Sequence, residues 1–132
     1  MPVSAVARDA ASAAFFDATA RGELLIKKCA ECGHVNAPQN MMCTACASTE
    51  LEWIKAAGTG RIETFAVVHR RGGAGDTPSR VIVGVIELDE GPWIEAQIVD
   101  ADPDAVKMFD PVVVGFETPE GGEALPVFRP AR

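Results

Sequence analysis

All four cysteines of the chain fall in one stretch, CAECGHVNAPQNMMCTAC, from Cys29 to Cys46. They form two C-x-x-C pairs, Cys29 with Cys32 and Cys43 with Cys46, ten residues apart. A C-x-x-C pair at a tight turn places two sulfurs on one side of the chain. Two such knuckles facing each other complete a tetrahedral thiolate site, with metal–sulfur distances of about 2.3 Å. Gly33 follows the first pair where a knuckle needs a permissive backbone, and Lys27 and Lys28 precede it, where positive charge would offset a doubly negative tetrathiolate. With four protein ligands no coordination position is left for water or substrate. The expected ion is therefore structural Zn2+, although iron suits the same four thiolates. Its task would be to staple a segment too small to fold by burial alone.

Redox chemistry and disulfides are the competing readings. A thioredoxin-like motif needs one C-x-x-C at a helix start in a βαβ pattern, which the surroundings lack. Structural disulfides belong to exported proteins, and the opening residues lack the basic and continuously apolar regions of an export signal, so the expected location is cytoplasmic. The other candidate groups are weaker. His34 lies two residues beyond Cys32 and reads as a surface residue of the knuckle. His69 ends a strand beside Arg70 and Arg71, with no serine, thiol or carboxylate recognisably paired to it. The loop RRGGAGDTPS (70–79) could hold a phosphate on Arg70, Arg71 and its glycine amides. It lacks the G-K-[ST] and following helix of a P-loop, and a solvated hairpin loop is the simpler reading. Trp53, Phe65 and Trp93 could stack bases, though apolar core is their commoner use. Asp100, Asp102, Asp104 and Asp110 lack the order and closing glutamate of a calcium loop and read as a solvated turn.

The elements that must position these groups are short. Residues 9–21 read as an alanine-rich helix, with Asp9 as N-cap, Gly22 as its stop, and Phe15 and Phe16 as its only large apolar residues. From Arg61 the texture changes to strands: 61–69 with a bulge between Ile62 and Phe65, 80–88 bent at Gly84, 93–100 with Ile94, Ala96 and Ile98 on one face, then 112–117 and 124–130. Residues 101–111 read as a connection. About five short strands with Gly/Pro punctuation predict a small closed or partly open barrel. The expected organisation is an N-terminal helical segment (1–22), a zinc ribbon (23–52) and a barrel (53–132).

Hydrophobic residues make up 48% of the 132, an ordinary globular composition with no apolar run of membrane-spanning length. The net charge of −7 opposes a nucleic-acid role, because phosphate binding draws on a basic excess.

The ordered set formed by an N-terminal helix with FF, the GEL that follows it, the CAECG knuckle, APQNMMCTAC, LEW, GTGRIETFAVVH, GVIELDEGP and the terminal LPVFRP resembles the zinc-ribbon plus OB-fold family known as domain of unknown function 35. It departs from the usual pattern at Gln39, where arginine is common, and at MFDPV (108–112), where a glycine-containing turn usually precedes the strand. The resemblance implies a mainly β fold: an N-terminal helix, a rubredoxin-like four-cysteine ribbon and a five-stranded OB barrel. It also implies a non-catalytic accessory subunit that joins a thiolase-like or aldolase enzyme in a hetero-oligomer acting on acyl-CoA thioesters, fatty acyl or steroid side-chain. Phe15 and Phe16 would then dock the partner, and His69, Arg70 and Arg71 would meet an acyl-CoA, if the barrel contacts one. The alternatives are a single-stranded nucleic-acid-binding OB protein and an enzyme using His69.

Overall fold

The computed structural model describes residues 7–70 and 79–131. Helix α1 spans Ala13–Ala20, shorter than the sequence predicts. Asp9 does not cap it. The Asp9 carboxylate accepts from the backbone N–H and hydroxyl of Ser12, and Ser12 Oγ in turn accepts from the Asp9 N–H, which closes a turn ahead of the helix. The end matches expectation. Gly22 has φ +78 and donates to Thr19 O, while Glu23 donates to Ala18 O, the paired bonds of a Schellman stop.

Strands β1 (Leu25–Cys29), β2 (Val35–Asn36) and β3 (Leu51–Lys55) form a small sheet in the order β2-β1-β3. Then come β4 (Thr59–Arg70), β5 (Ser79–Leu88), β6 (Trp93–Ile98), β7 (Pro111–Glu117) and β8 (Leu125–Pro130), closed into a barrel in the order β4-β5-β6-β8-β7. The expected bulge is present, because the β4–β5 register shifts between Ile62 and Thr64. β6 and β8 run parallel and meet at Ile98 and Phe128, while the other barrel pairs are antiparallel. This is a five-stranded barrel of OB type. The expected boundary between residues 52 and 53 falls inside β3, whose Trp53, Ile54 and Lys55 pair with Lys27, Ile26 and Leu25 of the ribbon sheet. The barrel itself starts at Thr59.

Glycine is required at Gly60. There β4 pairs with Leu88 of β5 on one side and Val112 of β7 on the other, which closes the barrel. A Cβ on Gly60 would lie 2.3 Å from the Glu87 carbonyl oxygen, a backbone atom that cannot swing aside. Gly60→Ala is expected to destabilise by at least the ~1–3 kcal/mol typical of overpacking. Urea unfolding measures this, and a change within error of zero would show that the closure relaxes freely.

One buried cluster joins the two sheets. Leu24, Ile26, Ala37 and Ala56 from the ribbon side pack with Ile62, Ile86, Ile94 and Phe128 of the barrel. Helix α1 touches β1 and β8 and so lies over both units. Arg8 holds the segment before it, with Nε 2.8 Å from Glu123 and Nη1 2.6 Å from Asp17. No helix of the described residues is long and apolar enough to cross a membrane.

Candidate metal centre and adjoining groove

The four cysteines converge. Their Sγ atoms all lie within 4.8 Å of one another, with Cys29–Cys46 and Cys32–Cys43 each at 3.6 Å. A tetrahedral ion with ~2.3 Å bonds to sulfur has sulfur–sulfur edges of about 3.8 Å, close to the spacing of this set. A disulfide needs ~2.05 Å, and all four thiols are free.

The two knuckles are built alike. Gly33 donates to Cys29 O at 3.0 Å with φ +80, and Ala47 donates to Cys43 O at 2.9 Å with φ +65. Backbone amides also aim at the sulfurs, Cys32 N–H at Cys29 Sγ and Ala45 N–H at Cys43 Sγ. The Cys32 amide draws the Cys29 thiol down. At Cys43 burial opposes ionisation, but the amides of Ala45 and Cys46 prevail and bring it to about 6. Cys46 goes the other way. The Ser48 amide pulls it down, yet the adjoining Cys29 and Cys32 sulfurs and burial outweigh that and push it up to about 12. The Cys32 thiol is raised as well, so two of the four thiols are drawn toward the thiolate and two are held back.

Ala47 shows where the sequence signal failed. It has glycine's conformation without being glycine, a conformation that costs an L-residue ~1–2 kcal/mol. Ala47→Gly is expected to stabilise the zinc-loaded chain by about 0.5–1 kcal/mol, after the entropy glycine adds to the unfolded chain is allowed for. A thermal melt tests this, and a lower melting temperature would contradict it.

Asn36 ties the knuckles to each other, and no sequence signal marks it. It is 1% exposed, its Oδ1 accepts from both the backbone N–H and the hydroxyl of Thr44, and its Nδ2 donates to His34 O. His34 itself is exposed and is not among the clustered ligands. Lys27 does not serve the thiolates as expected. Its ammonium donates to Asn40 O at 2.8 Å and lies 4.7 Å over the Trp53 ring, and partial burial lowers its pKa.

Beside the ribbon is a groove of about 610 Å³ between helix, ribbon and barrel, lined by Phe15, Lys27, Met41, Trp53, Ile94 and Glu95 among others. Phe15 stands at its wall, 6.3 Å from Trp53. Phe16 does not reach it. At 7% exposure it turns into the chain's own interior, leaving Phe15 as the accessible member of the pair. His69 is exposed at the far end of β4, opposite Arg80 of β5. Arg70 closes β4 opposite Ser79, and Arg71 and the rest of the 71–78 loop lie outside the described residues. The three rings that could have stacked bases each have other neighbours. Trp53 meets Phe15, Phe65 packs against the barrel core, and Trp93 is exposed with its indole N–H on Glu87. The aspartates form a turn satisfied within the chain: Asp104 pairs with Arg80, Asp100 with Arg129, and Asp110 accepts from Lys107 N–H.

Comparison with known families matches two models to successive parts of the chain. The family described as "ChsH2, rubredoxin-like zinc ribbon domain" matches residues 16–52, and "ChsH2, C-terminal OB-fold domain" matches residues 53–117. A "DUF35 domain-containing scaffold protein" of Methanothermobacter thermautotrophicus is 34% identical over 97 residues, 73% of each chain. The chain belongs to the DUF35 family. Its ribbon is a rubredoxin-like zinc ribbon, and the four clustered thiols fit a structural zinc, which Cys29, Cys32, Cys43 and Cys46 would hold. Another relative of this DUF35 chain is a "Probable enoyl-CoA hydratase alpha subunit" of Thermomonospora curvata, 33% identical over 131 residues. The match covers 98% of this chain but 40% of that longer protein. Among solved structures, a chain of the "Ltp2-ChsH2(DUF35) aldolase" superposes with a TM-score of 0.82 at 30% identity, over 96% of this chain and 99% of that one. A DUF35 protein of unknown function from Sulfolobus solfataricus shares the fold, with a TM-score of 0.64 at 12% identity over 92% of this chain and 86% of that one.

Proposed function

We propose that this DUF35 chain is a non-catalytic partner subunit that binds an aldolase- or thiolase-type enzyme acting on acyl-CoA. The observation that carries this reading is the end-to-end likeness to a chain of the Ltp2-ChsH2(DUF35) aldolase, an assembly named for two components. The scaffold-protein relatives and the enoyl-CoA hydratase subunit relative support it. In this reading zinc holds the ribbon rigid, and the groove walled by Phe15, Trp53 and Met41 faces the partner. Contact between an acyl-CoA and the strand end at His69 and Arg70 belongs to the same proposal. So does a cytoplasmic setting, where thiols stay reduced and four free cysteines are at home.

The test is tandem-affinity purification of the tagged chain from its own cells, with mass spectrometry and zinc assay of the eluate. The expected result is an aldolase- or thiolase-type enzyme in near-equal amount and about one zinc per chain, as a four-thiolate site holds. Stoichiometric nucleic acid with no such enzyme would overturn the reading in favour of an OB-type nucleic-acid binder. Acyl-CoA turnover by the chain alone, lost on His69→Ala, would overturn the word non-catalytic.

A further inference from the structure

Phe109 is a bulky residue in the left-handed region, with φ +70. Such a conformation costs of order 1–3 kcal/mol and persists where its surroundings over-determine it. Here they do. Phe109 N–H donates to Ile62 O at 2.6 Å and Ile62 N–H donates to Asp110 O at 3.0 Å, so the turn is clasped to β4. The ring gains no burial from this. It is 55% exposed, with Met108 beside it at 52%.

From Phe109 an ordered line of side chains crosses the outer face of the barrel. The Arg61 guanidinium lies 5.2 Å from the Phe109 ring centre. Arg61 Nη2 is 3.2 Å from Glu87 and 3.3 Å from Glu63. Glu87 also accepts from the Trp93 indole N–H at 3.0 Å. Strand register sets the line, since Arg61 is opposite Glu87 and Glu87 opposite Trp93. Trp93 is itself 53% exposed. Exposed contacts of this kind add little stability singly, but together they hold four long side chains in one arrangement before anything binds. Aromatic residues, Met and Arg are the types enriched at protein interfaces, and anchors already ordered lose less entropy on binding.

We infer that the row Trp93–Glu87–Arg61–Phe109 is a docking face for the enzyme subunit, an inference that rests on the accessory-subunit reading. Two observations choose that occupant. The row is continuous with the groove assigned to the partner, because Glu95, two residues along β6 from Trp93, lines the groove, and Gln39 lines both the groove and the cleft beside Trp93. The face is net negative. Arg61 and Lys27 are outnumbered by Glu63, Glu87 and Glu95, on a chain of net charge −7. The complementary surface is a group of apolar side chains ringed by Lys or Arg.

The test uses the full-length zinc-loaded chain and the enzyme recovered in the tandem purification, expressed separately. Phe109→Gly removes the ring and the left-handed strain together. It should melt at a higher temperature than the wild type and yet bind the enzyme more weakly, by about tenfold or more, as for an interface anchor. Trp93→Ala should weaken binding to a similar extent. Val68→Ser, at an exposed apolar position off the row, should bind as the wild type does. Glu95→Gln should reduce the salt sensitivity of the association rate. Unchanged affinity in Phe109→Gly and Trp93→Ala, with the wild-type complex intact, overturns this face and leaves the accessory reading standing. Failure of the wild-type chain to bind any such enzyme overturns both. Self-association of the chain that Phe109→Gly abolishes, with enzyme binding untouched, reassigns the row to a second copy and overturns the inference.

Discussion

Replacing Cys43 with serine, or stripping zinc with a chelator, is expected to unfold more than the ribbon. A structural zinc site of this kind contributes an apparent ~10–16 kcal/mol at neutral pH, comparable with the ~5–15 kcal/mol that holds a whole domain together. The ribbon strands are too short to persist without it, with two residues in β2 and five each in β1 and β3. When they open, Leu24 and Ile26 leave the cluster they share with barrel residues, and that side of the barrel meets water. Hydrogen exchange on the metal-free chain should show loss of protection in β1–β3 and weakened protection in β4–β6. Protection of β1–β3 equal to that of the zinc-loaded chain would refute a stapling role. Acid should act in the same direction. Metal binding needs thiolates and releases protons, so zinc affinity is greatest at high pH and falls as pH is lowered. A zinc-release titration against pH shows the sign directly.

Phe128→Ala is expected to be among the most damaging single substitutions in the barrel, at about 3–5 kcal/mol. The side chain is 0% exposed and sits where the parallel pair β6–β8 meets, opposite Ile98, with Val114 of β7 on its other side. Its carbonyl also accepts from Val99 N–H at 2.8 Å. A cavity there removes contacts from three strands at once. The melting temperature should drop by about 10–20 °C for a chain of this size. A loss below about 1 kcal/mol would mean that the barrel collapses onto the space.

Much of the barrel was legible because its sequence signals are local. Ile94, Ala96 and Ile98 alternate because one face of β6 is core, and the slip in phase after Ile62 is the bulge itself. The metal site was legible because ligand spacing is chemistry written along the chain. What stayed hidden depends on direction or on partners distant in sequence. Phe15 and Phe16 are neighbours about 100° apart on a helix, so one faces the groove and one the core, and their adjacency cannot say which. Asp9 looks like a cap because its type suits one, but its carboxylate is used three residues early. Ala47 gives no glycine signal for a turn that needs one. Arg61, Glu87, Trp93 and Phe109 lie on different strands and turns, and only the register makes them a row.

The passage of β3 through the family's own domain boundary bears on how this unit can be moved between proteins. A cut after residue 52 would leave Leu51 and Glu52 with the ribbon and Trp53, Ile54 and Lys55 with the barrel, severing a strand that zips onto β1. Neither fragment would keep a complete sheet edge or the full buried cluster. The unit that can be fused, transplanted or swapped is therefore the pair, carried whole, with its seams outside the stretch from the Arg8 clasp to β8.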